Sequence, residues 1–194
     1  MIKTYKNVLK PEQIFNILKY CDTIIEKDVW TSNIHWQNNL GTSSSLVLQH
    51  RLDKSYLGNE IKIAVENAIQ VNFDEKNLVF LPSIYVWTSS SYIKWHDDGC
   101  YPYNGTIYLN KRWDSNNGGI FLYKKHDGQI LGMEPAYNSM VVNSSTESDP
   151  HNSHCVTPII PGVDEKRVTI QWRTSIMKEQ HPISPKTKLF FKYC

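Results

Sequence analysis

The feature that most constrains the fold is a series of short apolar runs that fills the second half of the chain. From residue 79 onward, β-branched and aromatic residues cluster between turn residues. The runs are VFLPSIYVW, SYIKW, NGTIYLN, GGIFLY, NSMVVN, HCVTPII and RVTIQWRTSI. Many short strands between turns are typical of an antiparallel sandwich or barrel. We therefore predict a mainly β core over residues 79–177.

Two helical segments are predicted before this core. The first begins at Pro11, which suits a first helical position, and extends to about Tyr20. Its apolar residues are Ile14, Phe15 and Leu18. The second covers about Ser55 to Val71 and has the more regular apolar stripe. That stripe consists of Leu57, Ile61, Val65, Ala68 and Ile69.

The chain length predicts one domain. The 194 residues, with 40% hydrophobic and 12% aromatic residues, suit a single globular unit with a substantial core. Residues 1–194 are then one domain, in which 1–78 supply helical support and loops. Residues 79–177 form the β core, and 178–194 form a surface tail.

Charge and hydropathy exclude several classes of protein. The net charge is +2, and Lys and Arg are scattered, so no nucleic-acid partner is predicted. No apolar run approaches the roughly 18 residues that a membrane helix needs, and the first residues lack a signal-peptide core. The four cysteines form no CxxC pair, which favours reduced thiols. We expect a soluble, cytoplasmic protein.

The sequence WHDDG offers a pair of metal ligands. In a strand, residues two apart project from the same face, so His96 and Asp98 can aim an imidazole and a carboxylate at one point. Asp97 then points away. The alternative for an isolated His-x-Asp is a polar turn with a solvated histidine.

A third ligand is available in DPHNSHCVTPII. This segment contains His151 and His154, and His154 leads directly into an apolar run that can hold it in a strand. Two histidines and one carboxylate leave up to three open positions on a metal, as in non-haem iron oxygenases. Zinc is the competing metal, but a zinc hydrolase needs a general base, for which the sequence offers no obvious candidate.

The last predicted strand alternates between polar and apolar residues. Arg167 and Thr169 lie on the polar face, where a guanidinium fork and a hydroxyl suit a dicarboxylate. Val168, Ile170 and Trp172 lie on the packing face. A solvated outer face is the alternative interpretation of the polar residues.

These motifs together resemble a known family. The series HDDG, TIYLNKRWDSNNGGIFLY, EPAYNSMVV, SHCVTP and RVT is similar, over about residues 80–176, to the 2-oxoglutarate/iron(II)-dependent dioxygenases. Within them it resembles the prolyl 4-hydroxylase group. The resemblance implies a double-stranded β-helix, which is a cupin-like jelly roll, backed by N-terminal helices.

The same resemblance implies residue roles. His96, Asp98 and His154 would hold Fe(II), and Arg167 would bind the distal carboxylate of 2-oxoglutarate with help from Tyr108 and Thr169. Cofactors would be Fe(II), 2-oxoglutarate and O2, and the family also allows ascorbate. Residues that we expect to line the substrate site are Tyr92, Tyr101, Tyr103, Trp113 and Arg173.

The implied reaction is hydroxylation of a C–H bond of a prolyl residue in a peptide or protein. Two alternatives are the same chemistry on a small molecule, such as a free amino acid, and a non-catalytic metal-binding jelly roll. The interval from His154 to Arg167 is longer than is usual in the family. The tryptophan after the arginine also comes one place early, which leaves Lys166 as an alternative carboxylate-binding residue. Nothing in the sequence predicts an oligomeric state.

Overall fold

The computed structural model describes residues 2–26, 31–32, 47–53, 55–98, 101–144 and 153–176. Its helices are α1 (Pro11–Glu26) and α2 (Tyr56–Ile69), and Ser115–Asn117 form a 3₁₀ turn. The strands are β1 (Ile2–Lys6), β2 (Thr31–Ser32), β3 (Val47–Arg51), β4 (Leu78–Trp87), β5 (Ile93–His96), β6 (Tyr103–Tyr108), β7 (Phe121–Lys124), β8 (Ile130–Met133), β9 (Ser139–Ser144), β10 (His154–Val156) and β11 (Arg167–Ile176).

The strands form two antiparallel sheets. The large sheet has the order β1-β9-β6-β11-β4-β3-β2, and the small sheet has the order β5-β10-β7-β8. Non-consecutive strands lie side by side in both sheets, which is the strand order expected of a jelly roll built from two sheets. The prediction of a mainly β jelly roll with supporting helices is therefore confirmed.

Strand β11 is central to the large sheet. All ten of its residues pair with β4, and Thr169 to Arg173 pair with β6 on the other side. Its alternation separates two environments, because successive side chains point to opposite faces. Val168, Ile170 and Trp172 pack with the helices, and Arg167 and Thr169 are buried on the face that looks toward the small sheet. Arg167 and Thr169 are thus interior, so the alternative of a solvated outer face is wrong for them, whereas Arg173 near the end of the strand is exposed.

Two apolar clusters lie on the two sides of the large sheet. On the helix side, α1 and α2 cover the sheet, with Ile17 and Val65 packed in the same cluster as Ile84 and Ile107. On the other side, Tyr85 and Trp87 of β4 share a cluster with residues of the small sheet. Those residues are Ile93, Phe121 and Val156. The second cluster is the floor of the jelly roll, where the functional site lies.

Helix α1 is longer than predicted. It continues to Glu26, because its buried stripe continues past residue 20 at helical spacing. That stripe consists of Ile14, Ile17, Cys21 and Ile24. Phe15, one of the apolar residues by which we predicted this helix, is exposed.

Helix α2 matches its prediction closely. Ser55 is the N-cap, since its hydroxyl oxygen accepts a hydrogen bond from the Gly58 N–H, and Gln70 ends the helix in a left-handed conformation. Ile61 and Val65 are fully buried against the sheet. Helix packing therefore fixes one face of the sheet and leaves the other for the site.

The N-terminal region contributes strands as well as helices. We predicted helical support and loops for 1–78, but β1 pairs with β9, and β3 pairs with β4. These strands are short and lie at the two sides of the sheet, so their pairing depends on the β core rather than on a local apolar run.

Some sequence predictions fall outside the described residues. The tail 178–194 and His151 are among them, so the division into 1–78, 79–177 and 178–194 stays a prediction.

Cys21 and Cys155 are buried free thiols. Among the described residues, no helix is long and apolar enough to cross a membrane.

The helix-side cluster provides a test of the fold. Ile61 is 0% exposed and Ile63, two positions along the same helix, is 49% exposed. We expect Ile61→Ala to lower the free energy of unfolding by about 2–5 kcal/mol, because it leaves a cavity in the core. The measurement is urea denaturation followed by circular dichroism.

Ile63→Ala is the matched control, since the same atoms are removed and the change in helix propensity is the same. It should alter the free energy of unfolding by less than about 1 kcal/mol. Equal losses for the two variants would contradict the packing of α2 on the sheet.

Candidate metal centre and carboxylate pocket

Two histidines meet across a pair of strands in the small sheet. His96 ends β5 and His154 begins β10, and the two residues are direct register partners. Their ring centroids lie 4.3 Å apart. Antiparallel pairing therefore places on one face two imidazoles that are far apart in the sequence.

Asp98 completes the cluster from the turn after β5. Its Oδ1 lies 3.6 Å from His96 Nε2, and its Oδ2 lies 3.3 Å from His154 Nε2. One ligand atom from each of the three residues lies within 4.8 Å of the others. The predicted His-x-Asp pair and its distant histidine are thus brought together at one point.

Neighbouring groups orient these ligands. His96 Nδ1 lies 2.8 Å from the Lys94 carbonyl oxygen, and since a carbonyl only accepts, Nδ1 carries the proton and Nε2 faces Asp98. Asn143 of β9 hydrogen-bonds the Asp98 carboxylate. Outer partners of this kind fix the direction of metal ligands.

The electrostatics of the cluster are dominated by the carboxylate. Burial disfavours a charged His96, yet the hydrogen bond and charge of Asp98 outweigh it and raise the pKa of His96. Burial likewise opposes the charge of Asp98, but His96, His154 and Asn143 hold its pKa below the ordinary value. The carboxylate is therefore ionised and available to a cation.

The cluster opens into a cavity of about 510 Å³ between the two sheets. This volume lies in the range of small-molecule sites. Side chains of β11 and its neighbours form cross-strand rows on the cavity side of the large sheet. The rows are Arg167 with Trp87; Thr169 with Tyr85 and Tyr108; Gln171 with Ser83 and Thr106; and Arg173 with Leu81 and Asn104. At about 3.3 Å per residue, the backbones of Arg167 and Arg173 lie roughly 20 Å apart.

Arg167 lies at the deep end of these rows. It is 1% exposed, and its guanidinium carbon lies 5.1 Å from the ring centroids of both Trp87 and Tyr108. Its Nε and Nη1 have no hydrogen-bond partner among the described residues. Burial lowers the pKa of Arg167, and Tyr108 opposes that shift. A buried guanidinium with two unused donors is a site for a carboxylate.

Tyr108 lies beside the guanidinium, and Thr169 contacts Trp87, whose ring the guanidinium also contacts. That Thr169 and Tyr108 assist Arg167 stays a prediction. Trp87 Nε1 donates a hydrogen bond of 2.9 Å to Thr169 Oγ1, so the Thr169 proton is available to another acceptor. Gly119 has φ +69°, and a Cβ there would lie 3.0 Å from Arg167 Cδ. Because Gly119 has no side chain, the aliphatic part of the Arg167 side chain can pack against its backbone. Arg167, Tyr108 and Thr169 are not among the residues that line the cavity, but Tyr108 packs in one cluster with Tyr85, Phe121 and Val156, which do line it.

Lys166 does not share this environment. It is exposed and precedes β11, and its carbonyl accepts a hydrogen bond from Asn110 Nδ2. Arg167 is therefore the cation that faces the jelly-roll interior.

The five expected substrate-lining residues divide into two groups. Tyr101 and Arg173 line the cavity. Tyr103 packs in the helix-side cluster against Phe73, Trp113 donates a hydrogen bond to the Gly118 carbonyl, and Tyr92 lies outside the cavity lining. An aromatic residue in a β run is equally suited to core packing, so composition alone does not separate the groups.

Two residues of the site escaped prediction. Asn143 hydrogen-bonds Asp98. Trp87 contacts the Arg167 guanidinium with its ring and donates a hydrogen bond to Thr169. Alternation in NSMVVN puts Asn143 on the face opposite Met140 and Val142, which is a usable signal. The role of Trp87 could be predicted only from its pairing with Arg167 across β4 and β11, and the sequence does not give this pairing.

The fold and the cluster define a jelly-roll protein with a two-histidine, one-carboxylate site in its cavity. Residues 82–174, just under half of the chain, match the model of the 2OG-Fe(II) oxygenase superfamily. No curated protein sequence matches the chain. The family implies Fe(II), 2-oxoglutarate and O2 as cofactors.

Solved structures with this fold include several prolyl hydroxylases. A Pseudomonas putida prolyl-4-hydroxylase has a TM-score of 0.66 at 12% identity, over 90% of this chain and 92% of that one. A Trichoplax adhaerens prolyl hydroxylase, in complex with a peptide fragment of hypoxia inducible factor, has a TM-score of 0.67 at 13% identity, over 89% and 82%. The viral collagen prolyl hydroxylase of Paramecium Bursaria Chlorella virus-1, in complex with 2-oxoglutarate, has a TM-score of 0.56 at 11% identity, over 91% and 96%.

The cluster predicts metal binding that depends on one of two adjacent aspartates. We expect Asp98→Asn to weaken binding of Mn(II) by more than about 100-fold. Loss of a residue that only hydrogen-bonds a metal ligand already lowers metal affinity by about 10- to 100-fold, and Asp98 would be a ligand itself. Isothermal titration with Mn(II) measures the affinity.

Asp97→Asn is the matched control, since it removes the same charge from the neighbouring, exposed residue. Its affinity for Mn(II) should stay within about threefold of the native value. Comparable weakening by the two variants would place the metal elsewhere.

Proposed function

We propose that the protein is an iron(II)- and 2-oxoglutarate-dependent dioxygenase that hydroxylates a C–H bond of a prolyl residue in a peptide or protein. One observation carries the proposal. The cluster of His96, Asp98 and His154 shares a jelly-roll interior with Arg167, a buried cation with two unused donors.

The donor set suits iron(II). Two neutral imidazoles and one carboxylate form a facial triad, which leaves positions for a bidentate ligand and for dioxygen. Zinc accepts the same donors, but a zinc hydrolase needs a general base beside the metal-bound water. Among the described residues that line the cavity, Asp98 is the one carboxylate, and it belongs to the cluster itself.

The carboxylate pocket suits 2-oxoglutarate. Arg167 would hold the distal carboxylate through Nε and Nη1, and Thr169 and Tyr108 can add hydroxyl donors. Trp87 and Tyr108 hold the guanidinium in place by cation–π contact. The pocket is apolar around these donors, which strengthens each charge-assisted hydrogen bond.

The oxidising power comes from iron with 2-oxoglutarate and dioxygen, by which 2-oxoglutarate becomes succinate and carbon dioxide while one oxygen atom enters the substrate C–H bond. The residues of this chain bind and orient. Asn143 and the Lys94 carbonyl fix Asp98 and His96, and the cluster of Phe121, Val156 and Ile159 keeps water from the deep pocket. No side chain needs to act as a general acid or base.

A prolyl substrate is supported by the three fold neighbours described above, which are prolyl hydroxylases. The second candidate is a small molecule such as a free amino acid. It is favoured by the polar outer wall of the cavity, where Gln49, Arg51, Asn104 and Arg173 lie.

The test is turnover with iron(II), 2-oxoglutarate and ascorbate supplied. Formation of succinate should rise when a substrate is added, and the substrate should gain one oxygen atom by mass. Proline-containing peptides and free amino acids are tested side by side, and His96→Ala should abolish both readouts. A protein that binds metal but converts no 2-oxoglutarate, with or without candidate substrates, would instead be a non-catalytic module.

The role of Arg167 gives a separate prediction. Arg167→Met should raise the KM for 2-oxoglutarate by about 10- to 100-fold, the usual effect of losing charge-assisted hydrogen bonds. The melting temperature should not fall in parallel, because methionine replaces a buried cation with an apolar side chain of similar length. Both are measured on one preparation by succinate formation and thermal unfolding.

Arg112→Met serves as the control, since Arg112 is an exposed arginine outside the cavity lining. It should leave the KM for 2-oxoglutarate and the melting temperature unchanged. An unaltered KM in Arg167→Met would remove Arg167 from the cofactor site.

A further inference from the structure

The outer half of the cavity contains a second arginine on the same face of β11 as Arg167. Arg173 lines the cavity, six positions along the strand from the carboxylate pocket. The backbones of the two arginines lie roughly 20 Å apart along the strand, so one dicarboxylate does not account for both guanidiniums.

The guanidinium of Arg173 is held by an aromatic ring. Its central carbon lies 4.9 Å from the ring centroid of Tyr101, which also lines the cavity. Stacking uses the face of the guanidinium and leaves its N–H groups, which lie in the plane, for other acceptors. Tyr101 thus holds the Arg173 guanidinium in place while its N–H groups stay available as hydrogen-bond donors.

A buried donor lies next to this fork. Asn104 of β6 is the register partner of Arg173, and it lines the same cavity. It is 8% exposed, and its Nδ2 has no hydrogen-bond partner among the described residues. A buried amide without a partner is costly unless a ligand supplies an acceptor.

The other cationic residue of the cavity wall is already neutralised. Arg51 donates from Nε and Nη2 to the two carboxylate oxygens of Asp53, at 3.0 Å each, and its side chain is 63% exposed. Among the described residues that line the cavity, Arg173 is therefore the cation whose charge no carboxylate balances.

The register sets the distance to the metal centre. Asn104 pairs with Arg173 on one side and with Asn143 on the other, and Asn143 hydrogen-bonds Asp98. Two strand spacings of about 4.8 Å place Arg173 about 10 Å from Asn143. A group bound to Arg173 and a carbon at the metal centre can thus belong to one small molecule or to neighbouring residues of a peptide.

We propose that Arg173, Tyr101 and Asn104 form an anion-binding site for the substrate, and that the molecule oxidised here bears a carboxylate. The fork of Arg173 takes two carboxylate oxygens, and Asn104 Nδ2 donates to one of them. This inference rests on the proposed function, because it treats the cavity as the substrate site. The carboxylate belongs either to a free acid or to an acidic residue of a peptide.

The test compares each acid with its own amide. Prolyl peptides with Glu or Gln beside the proline, and free amino acids against their amides, are supplied to the iron-loaded protein, and succinate formation gives kcat/KM. The native protein should favour the acid by about 10- to 100-fold. A preference confined to one arm identifies whether the anion comes from a peptide or from a free acid.

Three variants separate the site from general charge effects. Arg173→Met should reduce the preference to less than about threefold, and Arg173→Glu should reverse it toward peptides with Lys beside the proline. Arg51→Met is the matched control, and it should keep the native preference. Equal use of acids and amides by the native protein, or a preference that survives in Arg173→Met, would overturn the inference.

A binding measurement keeps this test distinct from that of the proposed function. If no succinate forms under any condition, the proposed function fails, and binding is measured on manganese-loaded protein saturated with 2-oxoglutarate. N-acetylglutamate should then bind at least about tenfold more tightly than N-acetylglutamine, and Arg173→Met should remove the difference. Equal affinities of the two probes for the native protein would overturn the anion site independently of any turnover.

Discussion

The alternation of β11 is the constraint on which the rest of the structure depends. This strand lies between β4 and β6, and its two faces serve opposite needs. Val168, Ile170 and Trp172 anchor the helices, and the residues between them point into the jelly roll. A shift of register by one residue would put the arginines into the helix-side core and the apolar residues into the cavity. Folding and site assembly are therefore decided by the same hydrogen-bonded ladder.

The buried Arg167 shows how the fold tolerates a cation in its interior. Removing a guanidinium from water is unfavourable, and no carboxylate among the described residues compensates it. Two aromatic faces at 5.1 Å and the Tyr108 hydroxyl lessen that cost. The protein thus holds its cation ready for an anion that is not part of the chain, which is a form of preorganisation.

Local periodicity and the family motifs together predicted most components of the candidate site. The period of two in the strands put His96 with Asp98 and Arg167 with Thr169 on common faces, and the family motifs connected these pairs to His154. The structure brings His96, Asp98 and His154 together. It also places Arg167, rather than Lys166, inside the jelly roll.

What escaped prediction depends on contacts between distant segments. The pairing of β1 with β9 and of β3 with β4 is fixed by the completed sheet, since neither short strand has an apolar run of its own. Trp87 gains its role only through its register with Arg167. Phe15 contributed to the predicted helix but is exposed, because the buried stripe of α1 runs through Ile14 and Ile17.

The pairing of Ile2 with Asn143 has a practical consequence for handling the protein. Strand β1 protects the free edge of β9, and β9 carries the amide that steadies Asp98. An affinity tag or a shortened start near Ile2 that disturbs β1 would therefore disturb the cluster of His96, Asp98 and His154. Purification handles are better placed away from this strand when metal loading is to be compared between preparations.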